Sequence, residues 1–259
     1  MERVISLAAG TILDVDPATA VSVAAEAGFS AVGIWHDPST WTAATTRDVA
    51  QRLADTGVIA LDVEPIIFGR GEHHGERVIE IAAALDARFV LVASGPAPVA
   101  DVVRELARLC DLAVVAAPGV TLVLEFLPIF SVGSLAAAVK AVRAVGAPNL
   151  GVLVDTLHLD RSGSTPSDLA AHLDLFAYLQ LADAPQLIDS SPTALREEAL
   201  HGRLLPGEGV LPLAEVLAAV PAVPISVELR SRALIEQFPG AVDRARAVLT
   251  ATRRVIENV

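Results

Sequence analysis

Over 259 residues the chain alternates short apolar runs with helical patterns, and it does so eight times. The runs are Val4–Ala8, Ala31–Trp35, Ile59–Ile66, Phe89–Ala93, Thr121–Phe126, Gly151–Asp155, Phe176–Leu181 and Ile225–Leu229. A short apolar run bounded by turn residues reads as a strand buried on both faces, as in a parallel sheet. The intervening patterns read as helices. The first, Pro17–Gly28, has Asp16 as N-cap, Pro17 at the first helical position and Gly28 as its stop. Others are predicted over Thr45–Thr56, Glu76–Leu85, Val99–Ala116, Ser134–Val145, Ser167–Leu173, Leu213–Val220 and within Arg232–Ile256. Residues 184–210 read as the longest irregular stretch.

Alternation of this kind means βαβ units and a parallel sheet. Eight units of roughly thirty residues predict an α/β fold with one closed (β/α)8 TIM barrel spanning 1–259. No G-x-G-x-x-G follows the first run, which argues against an open dinucleotide-binding sheet. The 53% hydrophobic content is enough for one large core. A net charge of −12 without a basic run argues against a nucleic-acid partner. No apolar stretch is long enough for a membrane span. The N-terminus enters a strand at once, without a signal-peptide layout, so a cytoplasmic location is expected. The single Cys110 excludes an internal disulfide framework and a thiolate metal cluster. It lies on an apolar helical pattern and reads as core. A homo-oligomer is compatible with all of this.

Barrel active sites form at the C-terminal ends of the strands. The run Leu150-Gly-Val-Leu-Val-Asp155-Thr-Leu-His158 puts an aspartate at such an end. A buried carboxylate needs a helix N-terminus, a cation or a metal ion. For one aspartate, capping the next helix is the simpler reading. The pattern recurs, however, at Glu64, Glu125, Gln180 and Glu228. Singly, Glu125 could pair with an arginine and Gln180 with backbone. Converging carboxylates repel unless a cation compensates. One divalent ion held by oxygen ligands meets that need, with Mg²⁺ or Mn²⁺ ahead of Co²⁺ or Zn²⁺.

The segments Leu122-Val-Leu-Glu125-Phe, Val154-Asp155-Thr-Leu-His158, Tyr178-Leu-Gln180-Leu-Ala-Asp183, Leu205-Pro-Gly-Glu-Gly209 and Ser226-Val-Glu228-Leu resemble the sugar phosphate isomerase/epimerase family of xylose-isomerase-like barrels. The resemblance implies metal ligands at Glu125, Asp155, Gln180 and Glu228. Many members carry histidine where Gln180 stands. Those similar to hydroxypyruvate isomerase or 3-dehydroshikimate dehydratase carry glutamine. It also implies proton transfer by Glu125 and Glu228 next to the carbonyl of a small carbohydrate or polyol-derived substrate. His158 is then expected to bond a substrate oxygen and Arg203 to anchor the substrate. Glu64, Trp35 and His36 are candidates for the pocket wall. Arg70, His73 and His74 lie in a loop that could close as a lid, and His172 receives no role.

Four rival readings compete with this one. A dehydratase on the same barrel needs the same metal and base, so sequence does not separate it from an isomerase. A Schiff-base aldolase needs a strand-end lysine, and Lys140, in the middle of a helix, is the chain's only one. An endonuclease of the same barrel type needs more histidines, whereas position 94 is Ser and 180 is Gln, and the negative charge opposes DNA. A non-catalytic sugar-binding module would keep the pocket without needing all four ligands.

Overall fold

The computed structural model describes residues 3–69, 75–220 and 223–259. Eight parallel strands, β1 (Ile5–Leu7), β2 (Ala31–Trp35), β3 (Ile59–Ile67), β4 (Phe89–Ala93), β5 (Thr121–Glu125), β6 (Leu150–Asp155), β7 (Phe176–Leu181) and β8 (Ile225–Val227), pair in chain order. β1 also pairs with β8, with Ser6 opposite Ser226, so the barrel closes. The eight-strand expectation holds, with strand ends moved by one or two residues. β8 ends at Val227, which leaves Glu228 just past the ladder.

Side chains alternate across each strand. One set, including Leu61, Leu91, Val123, Leu153 and Tyr178, packs as a separate cluster inside the barrel. The other, including Val32, Ile34, Leu122, Leu124, Val152 and Leu179, joins the larger core beneath the helices. Two residues further along, the inward set reaches Glu125 on β5, Asp155 on β6 and Gln180 on β7. Period two therefore carries three polar side chains to one mouth. β3 departs from this regularity. Its register shifts against both neighbours, and Asp62 and Glu64 are both buried there.

The helices are α1 (Pro17–Ala27), α2 (Ala43–Thr56), α3 (Gly75–Ala84), α4 (Val99–Ala116), α5 (Leu135–Val145), α6 (Thr156–Arg161), α7 (Pro166–Leu169), α8 (Pro192–His201), α9 (Leu213–Ala219), α10 (Arg232–Gln237) and α11 (Ala241–Glu257). α1 has the expected ends: Asp16 accepts from the amides of Ala18 and Thr19, and Gly28 adopts a left-handed conformation. Cys110 is buried on α4, and burial pushes its thiol up to about 12. The expectation of an irregular 184–210 is corrected by α8. That helix buries only Ala199, so it lacks the apolar stripe that marks a helix in sequence. Its visible signal is Ser191-Pro192, an N-cap followed by proline. Arg70, His73 and His74 lie outside the described residues. No described helix is long and apolar enough to cross a membrane.

Candidate active site and metal centre

Asp155 is fully buried at the end of β6. Its Oδ1 accepts from the His158 amide at 3.0 Å, so it caps α6. Its Oδ2 accepts from Arg203 Nη1 at 2.6 Å. The capping reading and the cation reading both hold. Each carboxylate oxygen has two lone pairs, so neither bond exhausts the group. Burial alone would raise the Asp155 carboxyl, but Arg203 and His158 hold it below its ordinary value.

Arg203 is 2% exposed and reaches three partners across the mouth. Besides Asp155, its Nη2 lies 3.1 Å from Glu228 Oε2, and its Nε donates to Ala199 O at 3.2 Å. Burial disfavours its charge, yet the neighbouring carboxylates of Asp155 and Glu228 raise its pKa overall. Two clasps position the segment that delivers it. Arg161 binds Glu198 of α8 through two bonds of 2.9 and 2.7 Å and the Pro185 carbonyl at 2.7 Å. Asp183 accepts from the amides of Ala184, Gly207 and Leu211 at 2.9, 2.9 and 3.0 Å. Asp183 and the Leu205–Gly209 turn are thus explained as scaffold.

Glu228, past the last ladder pair, is held from the opposite end of the chain. Thr11 Oγ1 donates to Val227 O at 2.8 Å and accepts from Leu229 N at 2.9 Å, gripping the backbone on both sides of Glu228. Beside it, a Cβ on Gly10 would lie 2.4 Å from Glu228 Oε1. Only glycine leaves room for that carboxylate there. Thr156 makes a similar clasp just past β7, donating to Ala182 O and accepting from Ala182 N.

Ligand atoms of Glu125, Asp155 and His158 lie within 4.8 Å of one another. The His158 Nε2 to Glu125 Oε1 distance is 3.8 Å. Burial lowers His158 to about 4, so the ring is neutral at pH 7. Gln180 pairs in register with Asp155, and its buried Oε1 has no hydrogen-bond partner among the described residues. An orphaned acyl oxygen beside this group is what an oxygen-preferring cation would satisfy. Burial raises Glu125 well above its ordinary value, reinforced by Glu228 and Asp155. Glu228 is raised by burial, with Arg203 opposing. These residues fit a divalent ion. Of the four expected ligands, Glu125, Asp155 and Gln180 adjoin, and Glu228 is drawn towards Arg203.

Glu64 is buried at the same mouth and raised well above its ordinary value, first by burial and then by Asp62 and Glu228. Trp35, Glu64, Glu125, His158, Arg203 and Glu228 all line one cavity of about 320 Å³. His36 lies elsewhere: its amide donates to Glu64 O at 2.7 Å, and its ring stands 5.4 Å from that of Trp41. It is not among the residues lining this cavity. Asp62, Tyr178, Thr11, Arg196 and Arg230 escaped sequence reading. Tyr178 donates to Asp62 Oδ2 at 2.6 Å beneath the mouth. Arg196 and Arg230 line the cavity itself. Alternation on β3 could have flagged Asp62. Nothing local marks Thr11.

The family model described as xylose isomerase-like TIM barrel matches residues 21–252. A 3-dehydroshikimate dehydratase of Pseudomonas aeruginosa is 30% identical over 245 residues, covering 86% of this chain. The chain spans only 37% of that relative's length. Among solved structures, an IolI protein with a bound zinc atom superposes with a TM-score of 0.83 at 18% identity, covering 99% of each chain. A D-psicose 3-epimerase in the presence of D-fructose gives 0.71 at 17% identity, covering 98% of this chain and 99% of its own. Both likenesses are of fold.

Proposed function

Because the chain belongs to the xylose isomerase-like TIM barrel family, we propose that it is a divalent-metal-dependent enzyme moving a proton on the carbon next to a carbonyl. The substrate is a small keto-sugar, polyol-derived ketone or hydroxy-keto acid. The observation that carries this reading is the approach of Glu125, Asp155 and His158 to within 4.8 Å at the barrel mouth. The unpartnered Gln180 Oε1 and the nearby Glu228 support it. Glu125, Asp155, Gln180 and Glu228 would hold the ion, Mn²⁺ or Mg²⁺ by the predominance of oxygen donors.

The chemistry a bound divalent ion supplies is charge stabilisation at the substrate's carbonyl and neighbouring hydroxyl oxygens. Glu228, ion-paired with Arg203, takes the proton, and Glu125, from a strand across the mouth, returns it. His158, neutral and buried, bonds a substrate oxygen. Trp35 walls the cavity against water. Isomerisation or epimerisation is the first outcome of this proton transfer. Elimination of a β-hydroxyl from the same deprotonated carbon is the second. The identity to a 3-dehydroshikimate dehydratase favours that lyase reading.

Incubation of metal-loaded protein in D₂O with ketoses, ketose phosphates and keto-inositols tests the proposal. Isomerase or epimerase action places deuterium on the reacting carbon. A dehydratase gives a conjugated enone seen by ultraviolet absorbance. Glu228→Gln should abolish either signal. Binding without exchange or elimination would replace the proposal with a sugar-binding module.

A further inference from the structure

A second cavity adjoins the one at the mouth. Its volume is about 490 Å³, against 320 Å³ for the first. Its floor is Ala9, Ile12, Ala20 and Gly33, all buried. Ala9 follows β1 and Gly33 belongs to β2, so the floor continues the rim of the barrel outwards. Trp35 lines both cavities, which makes them neighbours. Ligands of drug size occupy cavities of about 300–1,000 Å³, so each lobe has room for one sugar ring.

The chain has only two tryptophans, and both line this second cavity. Neither Trp35 nor Trp41 is fully buried. Each is held by groups that do not line it. Trp41 Nε1 donates to Thr46 Oγ1 at 2.9 Å, and the His36 ring stands 5.4 Å from the Trp41 ring. Arg230, which lines the mouth cavity alone, lies 5.7 Å from the centre of the Trp35 ring. A half-exposed indole fixed by its neighbours is a preformed platform, offering a large apolar area at low entropic cost.

The polar groups narrow the ligand. Among the described residues no lysine, arginine or histidine lines this cavity, and its charged groups are Asp16, Asp37 and Asp48. An anion is repelled there. Asp16 is engaged by the amides of Ala18 and Thr19, and Asp37 by the amide and hydroxyl of Ser39. Carboxylates already holding several donors offer remaining lone pairs to hydroxyls, with less uncompensated charge for a cation. A neutral pyranose matches all of this. Its C–H face lies on an indole, and its hydroxyl edge donates to the acidic rim.

We infer that this second cavity is a subsite for a neutral sugar ring, and that the substrate is a keto-sugar carrying such a ring in glycosidic linkage. This rests on the proposed function in that the keto-sugar unit lies in the mouth, facing Glu125 and Glu228. The glycosidic bond then passes Trp35, and the second ring lies against Trp41. The subsite sets substrate length and takes no part in proton transfer.

Fluorine NMR of the Mn²⁺-loaded full chain, produced with 5-fluorotryptophan, tests the inference. Two tryptophans give two resonances, and Trp41→Phe assigns them. Fructose, bound at the mouth, should shift the Trp35 resonance alone. Turanose, lactulose and palatinose join a second ring to fructose at three different hydroxyls. At least one should shift both resonances and bind about tenfold or more tightly than fructose. Trp41→Leu should remove most of that gain. A Trp41 resonance unmoved by all three disaccharides, or a gain that survives Trp41→Leu, overturns the subsite. So does a larger Trp41 response to choline or benzyl alcohol than to methyl glucoside, because the cavity would then suit a cation or an aromatic ring. The wild-type resonances decide the matter even where Trp41→Leu lowers thermal stability. The D₂O readout is independent. Exchange on fructose with a silent Trp41 removes the subsite and keeps the proposed reaction. Trp41 shifts with glycosides, without exchange or elimination on any ketone, do the reverse.

Discussion

The two halves of the barrel rim contrast. Counting two residues beyond the inner layer, β5 to β8 present Glu125, Asp155, Gln180 and Glu228, whereas β1, β2 and β4 present Ala8, Gly33 and Ala93. One half supplies charge and the other supplies space. The space is used: a Cβ on Gly33 would lie 2.7 Å from Asp62 Oδ1, as one on Gly10 would crowd Glu228. β3 is the exception in the small half, and its register shifts accompany the buried Asp62 and Glu64. A converging set of carboxylates needs neighbours small enough to admit both them and a substrate, so the quiet half is part of the site's design.

The largest effect should follow from striking the charged half. Asp155→Ala leaves Arg203 buried beside only Glu228 and removes the cap of α6. Loss of one partner of a buried pair costs about 3–5 kcal/mol. Denaturant unfolding should show that loss, and calorimetry should show Mn²⁺ binding abolished. Wild-type affinity for Mn²⁺ in this variant would remove Asp155 from the ligand set.

Thr11 tests whether the small half merely gives room. Thr11→Val keeps the shape and deletes the hydroxyl that grips both sides of Glu228. The proton-exchange rate should fall about tenfold to a hundredfold with little change in KM, since small misplacements of a reacting group are costly. Thr11→Ser should restore most of the rate. Equal loss in both variants would mean that Thr11 matters only for packing.

Asp62 sharpens the β3 exception. Burial raises its carboxyl to about 6, against the hydrogen bond from Tyr178. The folded protein thus holds this proton more tightly than the unfolded chain does. The contribution is full below about pH 4 and is lost as pH rises through about 6. Asp62→Asn should therefore flatten the fall in unfolding free energy between pH 4 and 7 by up to about 3 kcal/mol. An unchanged slope would show that the pH dependence arises from other groups. Smallest of all, Lys140→Met lies outside both halves, exposed on α5. It should change stability by no more than about 0.5 kcal/mol and leave exchange intact. Lost activity would return the Schiff-base reading to consideration.

Much of this arrangement was legible in the chain because strand alternation is a local rule. Eight apolar runs specify the strands, and period two sends Glu125, Asp155 and Gln180 inward near their strand ends without reference to any other part of the sequence. The ends of α1 were equally readable, since a cap is written in adjacent residues. α8 was hidden because it buries almost nothing, and periodicity is visible only where a face is buried.

What the tertiary structure alone decided are the pairings across the ring. Arg203 lies between Asp155 and Glu228, Thr11 holds Glu228 from a sequence distance of more than 200 residues, and Arg196 and Arg230 line one cavity. Each depends on closure of β1 onto β8 or on the path of the segment carrying α8. Closure is a property of the whole sheet, so no local spacing encodes which side chains it brings into hydrogen-bond reach.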